Sequence, residues 1–359
     1  MNRSAFLERL SVENPIFLAP MGGGPGTPEL AAAVSEAGGL GSLGASYMTP
    51  AQIREDIRKI RSLTSKPFHI NLFSGGRGPQ PPGDAKAMLA LLAEIHTTLG
   101  IEAPVLPPPP ADPFAAQLEA VLEERPAVIS FTFGIPDPEA MKRVKARGIV
   151  VMGTATTLEE ARLLEAAGVN AIAAQGAEAG AHRGTFAATF ESSMVPLREL
   201  VRAMVRQTKL PVVASGGIMD GRDVAAALVD GAAAVQLGTA FLPCPESGAS
   251  EAYKKAILAA RRDTTVITRA FSGRPARGLA NDFIGRLQGR EEIILPYPLQ
   301  NALTRPMRTA AARRGHAGFL SLWAGQGVAR VREMPAGELV RCLVEETAEA
   351  QRLATDRRA

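Results

Sequence analysis

Short, nearly continuous apolar runs alternate with helix-like segments along most of the chain. Such runs are typical of strands buried on both faces of a parallel sheet. We predict strands at residues 15–20, 39–44, 67–73, 127–134, 148–154, 171–175, 211–215 and 233–238. Helix-like segments lie between them, at residues 28–37, 50–62, 113–124, 138–146, 157–167, 196–207 and 220–230. These strand-and-helix units indicate an α/β fold, a (βα)8 TIM barrel, with a doubly wound open sheet as the competing architecture.

Signals at the helix ends support this alternation. At four predicted helix starts a capping residue stands before a proline, which is favoured at the first helical position. The pairs are Thr27-Pro28, Thr49-Pro50, Asp112-Pro113 and Asp137-Pro138. Glycines follow several predicted helices, as C-caps do. They are Gly38, Gly148, Gly168 and Gly231.

Two segments interrupt the alternation. Residues 74–111 contain Pro79, Pro81, Pro82 and the run 107–110, which predicts an extended loop, although residues 84–99 are compatible with a helix. Residues 241–314 add helical and irregular material after the last strand. We interpret that segment as a smaller C-terminal cap subdomain over the barrel mouth.

The predicted division of the chain follows from these interruptions. Residues 1–240 would form the cofactor-binding barrel, and residues 241–314 the cap on the substrate side. Residues 315–359 would return to the barrel, ending in an amphipathic helix at 335–353.

Composition narrows the function classes. Of 359 residues, 46% are hydrophobic and 21% charged, which is ordinary for a soluble enzyme and excludes a disordered chain. The net charge of +4 is dispersed, so we expect no nucleic-acid partner. No apolar run reaches about 18 residues, so we expect no membrane span. Cys244 and Cys342 are too isolated for a disulfide framework, and no metal-ligand cluster is visible. With no apolar signal core at the start, we expect a cytoplasmic protein; the oligomeric state stays open.

The segment after the sixth predicted strand is the most informative. Gln175 ends that strand, and Gly180 and His182 lie just beyond it, among further glycines. Active sites of barrels lie at the carboxyl ends of the strands, and only four histidines occur in the chain. His182 is therefore the candidate catalytic residue, the alternative being an incidental histidine in a surface loop.

Glycine-rich turns follow three other strands. Met21, Gly22 and Gly23 follow the first strand, where glycine lets a flat ligand approach the backbone. Two further turns follow strands seven and eight, where barrels frequently bind phosphate. Their candidate residues are Gly216, Gly217, Gln236, Leu237, Gly238 and Thr239. A flat phosphorylated cofactor is indicated, and FMN fits better than a dinucleotide.

Two strands contribute further candidates. Asn71 interrupts an apolar run, and a buried amide needs a partner, either a ligand or an internal hydrogen bond. Phe133 would line the pocket, with core packing as the alternative interpretation. His69, on the same strand as Asn71, is interpreted as a core histidine.

Motifs along nearly the whole chain resemble the nitronate monooxygenase family, formerly called 2-nitropropane dioxygenases. The matching segments are 19–24, 32–41, 175–184 (QGAEAGAHRG), 215–218, 236–239, 268–281, 296–301 and 323–327. The sequence departs from the family pattern at three places. Ala181 replaces the usual second glycine before the histidine, and Asn301 and Arg305 stand where some members have tyrosine and lysine.

The resemblance implies an FMN-dependent barrel that oxidises alkyl nitronates with dioxygen to a carbonyl compound and nitrite. It implies that Asn71, Gln175 and the glycine turns bind FMN, with Gln326 near the flavin. His182 and Tyr297 would contact the substrate. A base is needed only if neutral nitroalkanes are oxidised too, because a nitronate is already deprotonated. Arg274 and Arg277 either contact a ligand or brace the cap; we favour bracing.

Two alternatives stay open. The first is an FMN-dependent NAD(P)H reductase of the same superfamily, acting on an enoyl thioester or a quinone. The second is a flavin-binding protein without turnover. A steady NADH oxidase rate would favour the reductase, and bound flavin without any substrate response would favour the binding protein.

Overall fold

The computed structural model describes residues 3–75, 84–108, 111–262 and 264–356. The strands are β1 (Ile16–Leu18), β2 (Gly41–Gly44), β3 (Phe68–Phe73), β4 (Val128–Thr132), β5 (Val150–Ala155), β6 (Ala171–Gln175), β7 (Ala181–His182), β8 (Val212–Ser215), β9 (Ala234–Leu237), β10 (Thr265–Thr268) and β11 (Ala276–Leu279). The helices are α1 (Arg3–Leu10), α2 (Pro28–Glu36), α3 (Pro50–Leu63), α4 (Ala85–Thr98), α5 (Phe114–Glu124), α6 (Pro138–Ala146), α7 (Leu158–Ala166), α8 (Leu197–Gln207), α9 (Gly221–Val229), α10 (Glu251–Leu258), α11 (Asp282–Leu287), α12 (Leu299–Leu303), α13 (Arg305–Arg313) and α14 (Ala336–Asp356). None of these helices is both long and apolar enough to cross a membrane.

Eight parallel strands form one sheet in the order β1-β9-β8-β6-β5-β4-β3-β2. The two ends of this order meet, because Phe17 in β1 forms a parallel bridge with Leu40, the residue before β2. Two backbone hydrogen bonds hold that contact, from Leu18 N to Leu40 O (2.9 Å) and from Leu40 N to Ile16 O (3.0 Å). The sheet therefore closes into the predicted (βα)8 TIM barrel, and the open doubly wound alternative is wrong.

The predicted helix starts are mostly observed. The side chains of Thr27, Thr49 and Asp137 each accept a backbone N–H of the helix that follows. The remaining start, at Asp112-Pro113, lies one residue later than predicted. Pro113 stays outside the hydrogen-bonded helix, and α5 begins at Phe114. Asp112 accepts the backbone N–H of that phenylalanine at 3.1 Å. The predicted C-terminal glycines all have positive φ; they are Gly38, Gly148, Gly168 and Gly231.

The amino-terminal end of the barrel is closed by α1, which the sequence analysis did not predict. Phe6 and Leu10 of this helix pack with Phe17, Val128 and Val213 from three barrel strands. The rings of Phe6 and Phe17 lie 6.2 Å apart, centroid to centroid. Water is thereby excluded from this end, so the opposite end is the open one.

A second apolar cluster lies over the carboxyl end of the barrel. Side chains of α4, α10, α11 and α13 form it, and α4 confirms the helix predicted within residues 84–99. The residues Pro79, Pro81, Pro82, Pro109 and Pro110 of the predicted extended loop lie outside the described residues. The predicted closing helix is α14, which packs on α9 and α2. The division of the chain at residues 240 and 314 stays a prediction.

A three-stranded antiparallel sheet, in the order β10-β11-β7, joins the cap to the barrel. In this sheet His182 lies opposite Ala276, and Ala181 opposite Arg277. The strands at residues 265–268 and 276–279 were not predicted from the sequence. Because of this sheet, the segment of residues 175–186 that contains His182, here called the histidine segment, is held by the cap as well as by the barrel.

Candidate active site

A cavity of about 620 Å³ opens at the carboxyl ends of the barrel strands. Most of the predicted site residues line it: Met21, Gly22, Gly23, Asn71, Phe133, Gln175, Gly180, His182, Gly216, Gly217, Gln236, Leu237, Gly238 and Thr239. Two predicted residues are not among its lining residues. Tyr297 is buried, with its ring centroid 6.3 Å from that of His182. Gln326 is exposed, and its backbone N–H donates to the Glu178 carbonyl at 3.0 Å.

His182 lies in β7 and is surrounded by aromatic rings. Its ring centroid is 5.6 Å from that of Trp323 and 6.0 Å from that of Phe133. The Nε2 atom is buried and has no hydrogen-bond partner among the described residues. Buried polar atoms are nearly always hydrogen-bonded, so an unpartnered one in a cavity wall indicates a ligand group.

The surroundings of His182 keep its imidazole neutral. Burial, followed by the charges of Arg274 and Arg308, lowers the pKa of His182 to about 3. A neutral imidazole carries one N–H and one lone pair, so it can donate one hydrogen bond and accept a proton. His182 can therefore work as a base or as a hydrogen-bond partner at neutral pH, without contributing a charge.

A buried carboxylate in α7 supports the segment that follows His182. Glu160 is fully buried and accepts hydrogen bonds from Phe186 N (2.6 Å), Ala187 N (3.0 Å) and Thr185 Oγ1 (2.7 Å). Its other oxygen accepts from Thr156 N (2.7 Å) and Thr156 Oγ1 (2.6 Å). Burial opposes ionisation, but these bonds outweigh it and lower the pKa of Glu160. The ionised carboxylate thus anchors the segment.

Arg183 and Gln175 anchor the same segment on its other side. The buried Arg183 Nη2 donates to Gln175 O (2.6 Å) and to Ser193 O (2.5 Å). The Gln175 side chain bridges the loop, because its Nε2 donates to His182 O (3.0 Å) while its Oε1 accepts from Gly184 N (2.8 Å). Gln175 thus has a structural task in addition to lining the cavity.

Asn71 lies on the floor of the cavity, within the barrel. Its Nδ2 donates to Ser130 Oγ (2.7 Å) and Thr132 Oγ1 (3.1 Å). The amide oxygen is the group that remains to accept a hydrogen bond from a ligand. His69 is fully buried and bonded through Nε2 to Ser130 Oγ (2.6 Å), which confirms the core interpretation.

One end of the cavity is built from glycine turns. Gly216 (φ +132°) and Gly217 (φ +70°) follow β8, and Gly238 and Thr239 follow β9. A Cβ atom on Gly217 would lie 3.0 Å from the Glu178 Cβ. The backbone angle φ of +70° is also one that residues with a side chain rarely adopt. Only backbone therefore borders the cavity at this turn, which allows a ligand to approach closely.

The helix after the first of these turns is closed to a ligand by its own cap. Asp220 accepts hydrogen bonds from Arg222 N and Asp223 N, both at 3.0 Å. Arg330 pairs with Asp220 (3.0 Å) and Asp223 (2.8 Å), and donates to Gly217 O at 3.0 Å. An anion at this end would be held by the turns, not by the start of α9.

Arg274 and Arg277 were predicted to brace the cap, and both donate hydrogen bonds from the cap to the histidine segment, residues 175–186. Arg274 Nη2 donates to Thr185 O (2.6 Å), and its guanidinium carbon lies 3.8 Å from the Phe133 ring centroid. Arg277 Nη2 donates to Ala177 O at 3.0 Å. Neither arginine is among the residues that line the cavity.

The lining residues that were not singled out from the sequence include Tyr47, Arg308 and Trp323. Tyr47 comes shortly after β2, so its position at a strand end was an available signal. Trp323 lies within one of the matching motifs. Arg308 lies in the cap helix α13; the cap was predicted to lie over the barrel mouth, but no sequence pattern marks this arginine.

The sequence of the chain is similar to those of known proteins. A sequence model of the nitronate monooxygenase family matches residues 3–346. The chain belongs to the nitronate monooxygenase family. A nitronate monooxygenase from Pseudomonas aeruginosa is 45% identical over 345 residues, which cover 95% of this chain and 98% of that protein. A probable nitronate monooxygenase from Staphylococcus saprophyticus is 42% identical over 343 residues, covering 95% and 96%.

Solved structures agree with this assignment to the nitronate monooxygenase family. A nitroalkane oxidase from Streptomyces ansochromogenes has a TM-score of 0.90 at 41% identity, covering 98% of this chain and 99% of that one. FabK from Thermotoga maritima has a TM-score of 0.78 at 30% identity, covering 98% of both chains. Family membership makes this chain an oxidoreductase, and the nitroalkane oxidase supports nitronate oxidation as the class of reaction.

Proposed function

We propose that the chain is an FMN-dependent nitronate monooxygenase that converts alkyl nitronates and dioxygen to a carbonyl compound and nitrite. The observation that carries this proposal is the two-ended cavity. Glycine turns form one end, and the neutral, unpartnered Nε2 of His182 lies among aromatic rings at the other. Such a cavity suits a flat phosphorylated cofactor with a small substrate beside it.

The residues present fit FMN. The turns at Gly216-Gly217 and Gly238-Thr239 would hold its phosphate, since at the three glycines the backbone borders the cavity without a side chain. The ring would lie near Met21 and the side chain of Asn71, with the remaining predicted lining residues around it. When bound, FMN would supply the redox chemistry, taking electrons from the nitronate and passing them to dioxygen.

The protein's own task is to hold the substrate and manage its proton. His182 Nε2 would remove the Cα proton of a neutral nitroalkane if it carries the lone pair, or bond a nitronate oxygen if it carries the hydrogen. The low pKa of His182 keeps the ring unprotonated at neutral pH, so its lone pair and its N–H are available to a substrate. The same low pKa makes the ring a weak base, so proton removal relies on the acidity that the nitro group gives to the Cα proton. The rings of Phe133 and Trp323 would shield the reacting carbon from water.

The overall reaction balances without a further reductant. Two nitronate anions and one dioxygen molecule give two carbonyl compounds and two nitrite ions, and in this equation atoms, electrons and charge all balance. A nicotinamide site is therefore unnecessary for this function, whereas the competing reductase would need one.

An oxygen-free absorbance titration tests the proposal. Purified protein should show a flavin spectrum that bleaches when ethyl nitronate is added, and recovers with release of nitrite when oxygen is admitted. Recovery should consume oxygen in proportion to the nitrite formed.

Three results would contradict the proposal. Flavin that ignores the nitronate but bleaches with NADH would indicate the reductase. Flavin that responds to neither compound would indicate a binding protein without turnover. Protein that carries no flavin, and binds none when FMN is supplied, would remove the cofactor assignment.

A further inference from the structure

The cap helix α13 turns a row of arginines toward the cavity. Arg305, Arg308 and Arg313 all line it. No ion pair among the described residues involves any of these three side chains. The cavity therefore carries positive charge that the described part of the protein does not neutralise.

Arg308 differs from its two neighbours because it reaches inward. Arg305 and Arg313 are exposed, whereas Arg308 is half-buried. Its Nη2 donates to Asn301 O (2.7 Å) and to Asn301 Oδ1 (2.9 Å), which fixes one edge of the guanidinium. Its Nε is buried and has no hydrogen-bond partner among the described residues. A charged donor in that state calls for an anionic acceptor.

The helix that carries Arg308 reaches the aromatic end of the cavity, because the Arg305 guanidinium carbon lies 5.9 Å from the Tyr47 ring centroid. From Tyr47, ring contacts to Phe73 (5.6 Å) and from there to Phe133 (4.6 Å) lead to His182. Burial lowers the pKa of His182, and the charges of Arg274 and Arg308 lower it further. Burial raises the pKa of Tyr47, and the Arg308 charge works against that rise. Arg308 therefore acts electrostatically on both Tyr47 and His182, which themselves line the cavity.

Charge distinguishes the two candidate substrates better than shape does. A nitronate and its parent nitroalkane have nearly the same size, but only the nitronate carries a negative charge, spread over two coplanar oxygens. A guanidinium offers a planar fork of N–H groups that matches two such oxygens. Neutral His182 cannot make this distinction by charge, and Arg274 is turned to Phe133 and Thr185.

We propose that Arg308 forms an oxyanion subsite that makes the enzyme select nitronates over neutral nitroalkanes. The proposal rests on the proposed function for the identity of the substrate. The subsite itself is a property of the protein: it should bind any small planar oxyanion, including nitrite, and should ignore neutral compounds of the same shape.

The test compares anion binding with substrate preference in the flavin-loaded protein. Nitrite binding is followed by calorimetry and by perturbation of the flavin spectrum, and kcat/KM is measured for ethyl nitronate and nitroethane. R308Q should weaken nitrite binding and lower the nitronate-to-nitroethane ratio of kcat/KM, each by about tenfold or more. R308K should fall between, because it keeps the charge but loses the fork.

Two variants control for trivial causes. R314Q removes the same charge from an exposed arginine at the end of α13 that does not line the cavity, and it should bind nitrite like the wild type. N301D leaves Arg308 in place but puts a carboxylate oxygen where Oδ1 already lies 2.9 Å from Nη2. It should neutralise the subsite and reproduce the loss seen in R308Q, even if R308Q folds poorly.

Four results would decide the matter. Unchanged nitrite binding in R308Q and N301D would overturn the proposal. An equal loss of activity toward nitronate and nitroethane would overturn it too, as a general structural effect. A shifted flavin potential with unchanged nitrite binding would also overturn it, by assigning Arg308 to the cofactor. Arginine-dependent nitrite binding without any nitronate oxidation would support the subsite and refute the proposed function.

Discussion

The two ends of the cavity are built from different parts of the polypeptide. The glycine end consists of backbone from turns that directly follow β8 and β9. The aromatic end consists of side chains from β7, the cap and the segment around Trp323, which lie far apart in the sequence. One end thus depends on where the chain turns, and the other on which side chains the cap brings over the barrel.

This difference separates binding from selection. Backbone turns recognise a phosphate through their shape and their N–H groups. Replacing a surface side chain changes neither of these much. Side chains supply the proton-handling and charge-matching groups, and each can be replaced singly. We therefore expect substitutions at the glycine end to alter cofactor retention and those at the aromatic end to alter turnover.

The largest effect should come from His182→Asn. We expect turnover of nitroethane to fall by about 100-fold or more, since general-base catalysis commonly contributes that much. Turnover of the nitronate, which needs no base, should fall less. Flavin content should stay unchanged, as should both rates in the exposed-site control His316→Asn. Loss of flavin from the His182 variant would show instead that the residue is structural.

Gly217→Val should act at the opposite end. Valine would be strained at φ +70° and would crowd Glu178, where even a Cβ atom comes within 3.0 Å. We expect the Kd for FMN to rise by about tenfold or more, measured by fluorescence of released flavin. Gly285→Ala, at a glycine where an added Cβ atom would meet no other atom within 4 Å, should retain flavin normally. Unchanged retention in both variants would mean that the phosphate lies elsewhere.

Glu160→Gln should affect the aromatic end through its support. The amide NH2 would face the backbone N–H groups of Phe186 and Ala187 in one orientation and that of Thr156 in the other, so at least one buried donor is left unsatisfied. We expect a loss of about 2 kcal/mol in the free energy of unfolding and a several-fold drop in turnover. The neighbouring, exposed Glu159→Gln should change neither quantity. If the Glu160 variant were as stable as the wild type, the carboxylate would not support this segment.

The last effect concerns acid stability, not activity, and comes from His69, which is fully buried in the barrel. Burial lowers the pKa of His69 from 6.5 to about 3, so the unfolded state binds a proton that the folded state does not. The free energy of unfolding is therefore unaffected by His69 above about pH 6.5 and falls as the pH drops toward 3. Between pH 7 and pH 5 this histidine alone lowers it by about 2 kcal/mol. His182 titrates in the same direction.

Urea unfolding at the two pH values measures this contribution. His69→Gln should lose less stability on acidification than the wild type, whereas the exposed His316→Gln should lose as much. An equal loss in both variants would mean that His69 is protonated in the folded protein.

The sequence predicted the glycine end better than the aromatic end for a physical reason. The barrel strands, the caps at Thr27 and Thr49, and the turns after β8 and β9 are encoded by neighbouring residues. The pairing of β7 with β11 depends on contacts between residues almost a hundred positions apart, so the sequence analysis predicted only a loop around His182. Likewise, α1 shows no strong pattern of its own and is explained by the apolar barrel end that it covers.

The same reasoning applies to single residues. Asp112 was interpreted as a cap next to a helical proline, but the hydrogen-bonded helix begins at Phe114. Arg308 looks like any other surface arginine in a helix, and its importance appears only when Asn301 and the cavity are seen beside it. Local signals describe how the chain turns, whereas charge in a pocket depends on the assembled fold.

Trp323 has a practical consequence for every experiment on this protein. It is the only tryptophan in the chain, and it lines the cavity 5.6 Å from His182, centroid to centroid. Its emission therefore reports from the reaction site alone, with no other indole to obscure the signal. Stopped-flow fluorescence can follow a ligand entering and leaving the unlabelled protein, and thus time ligand binding separately from the chemistry that follows it.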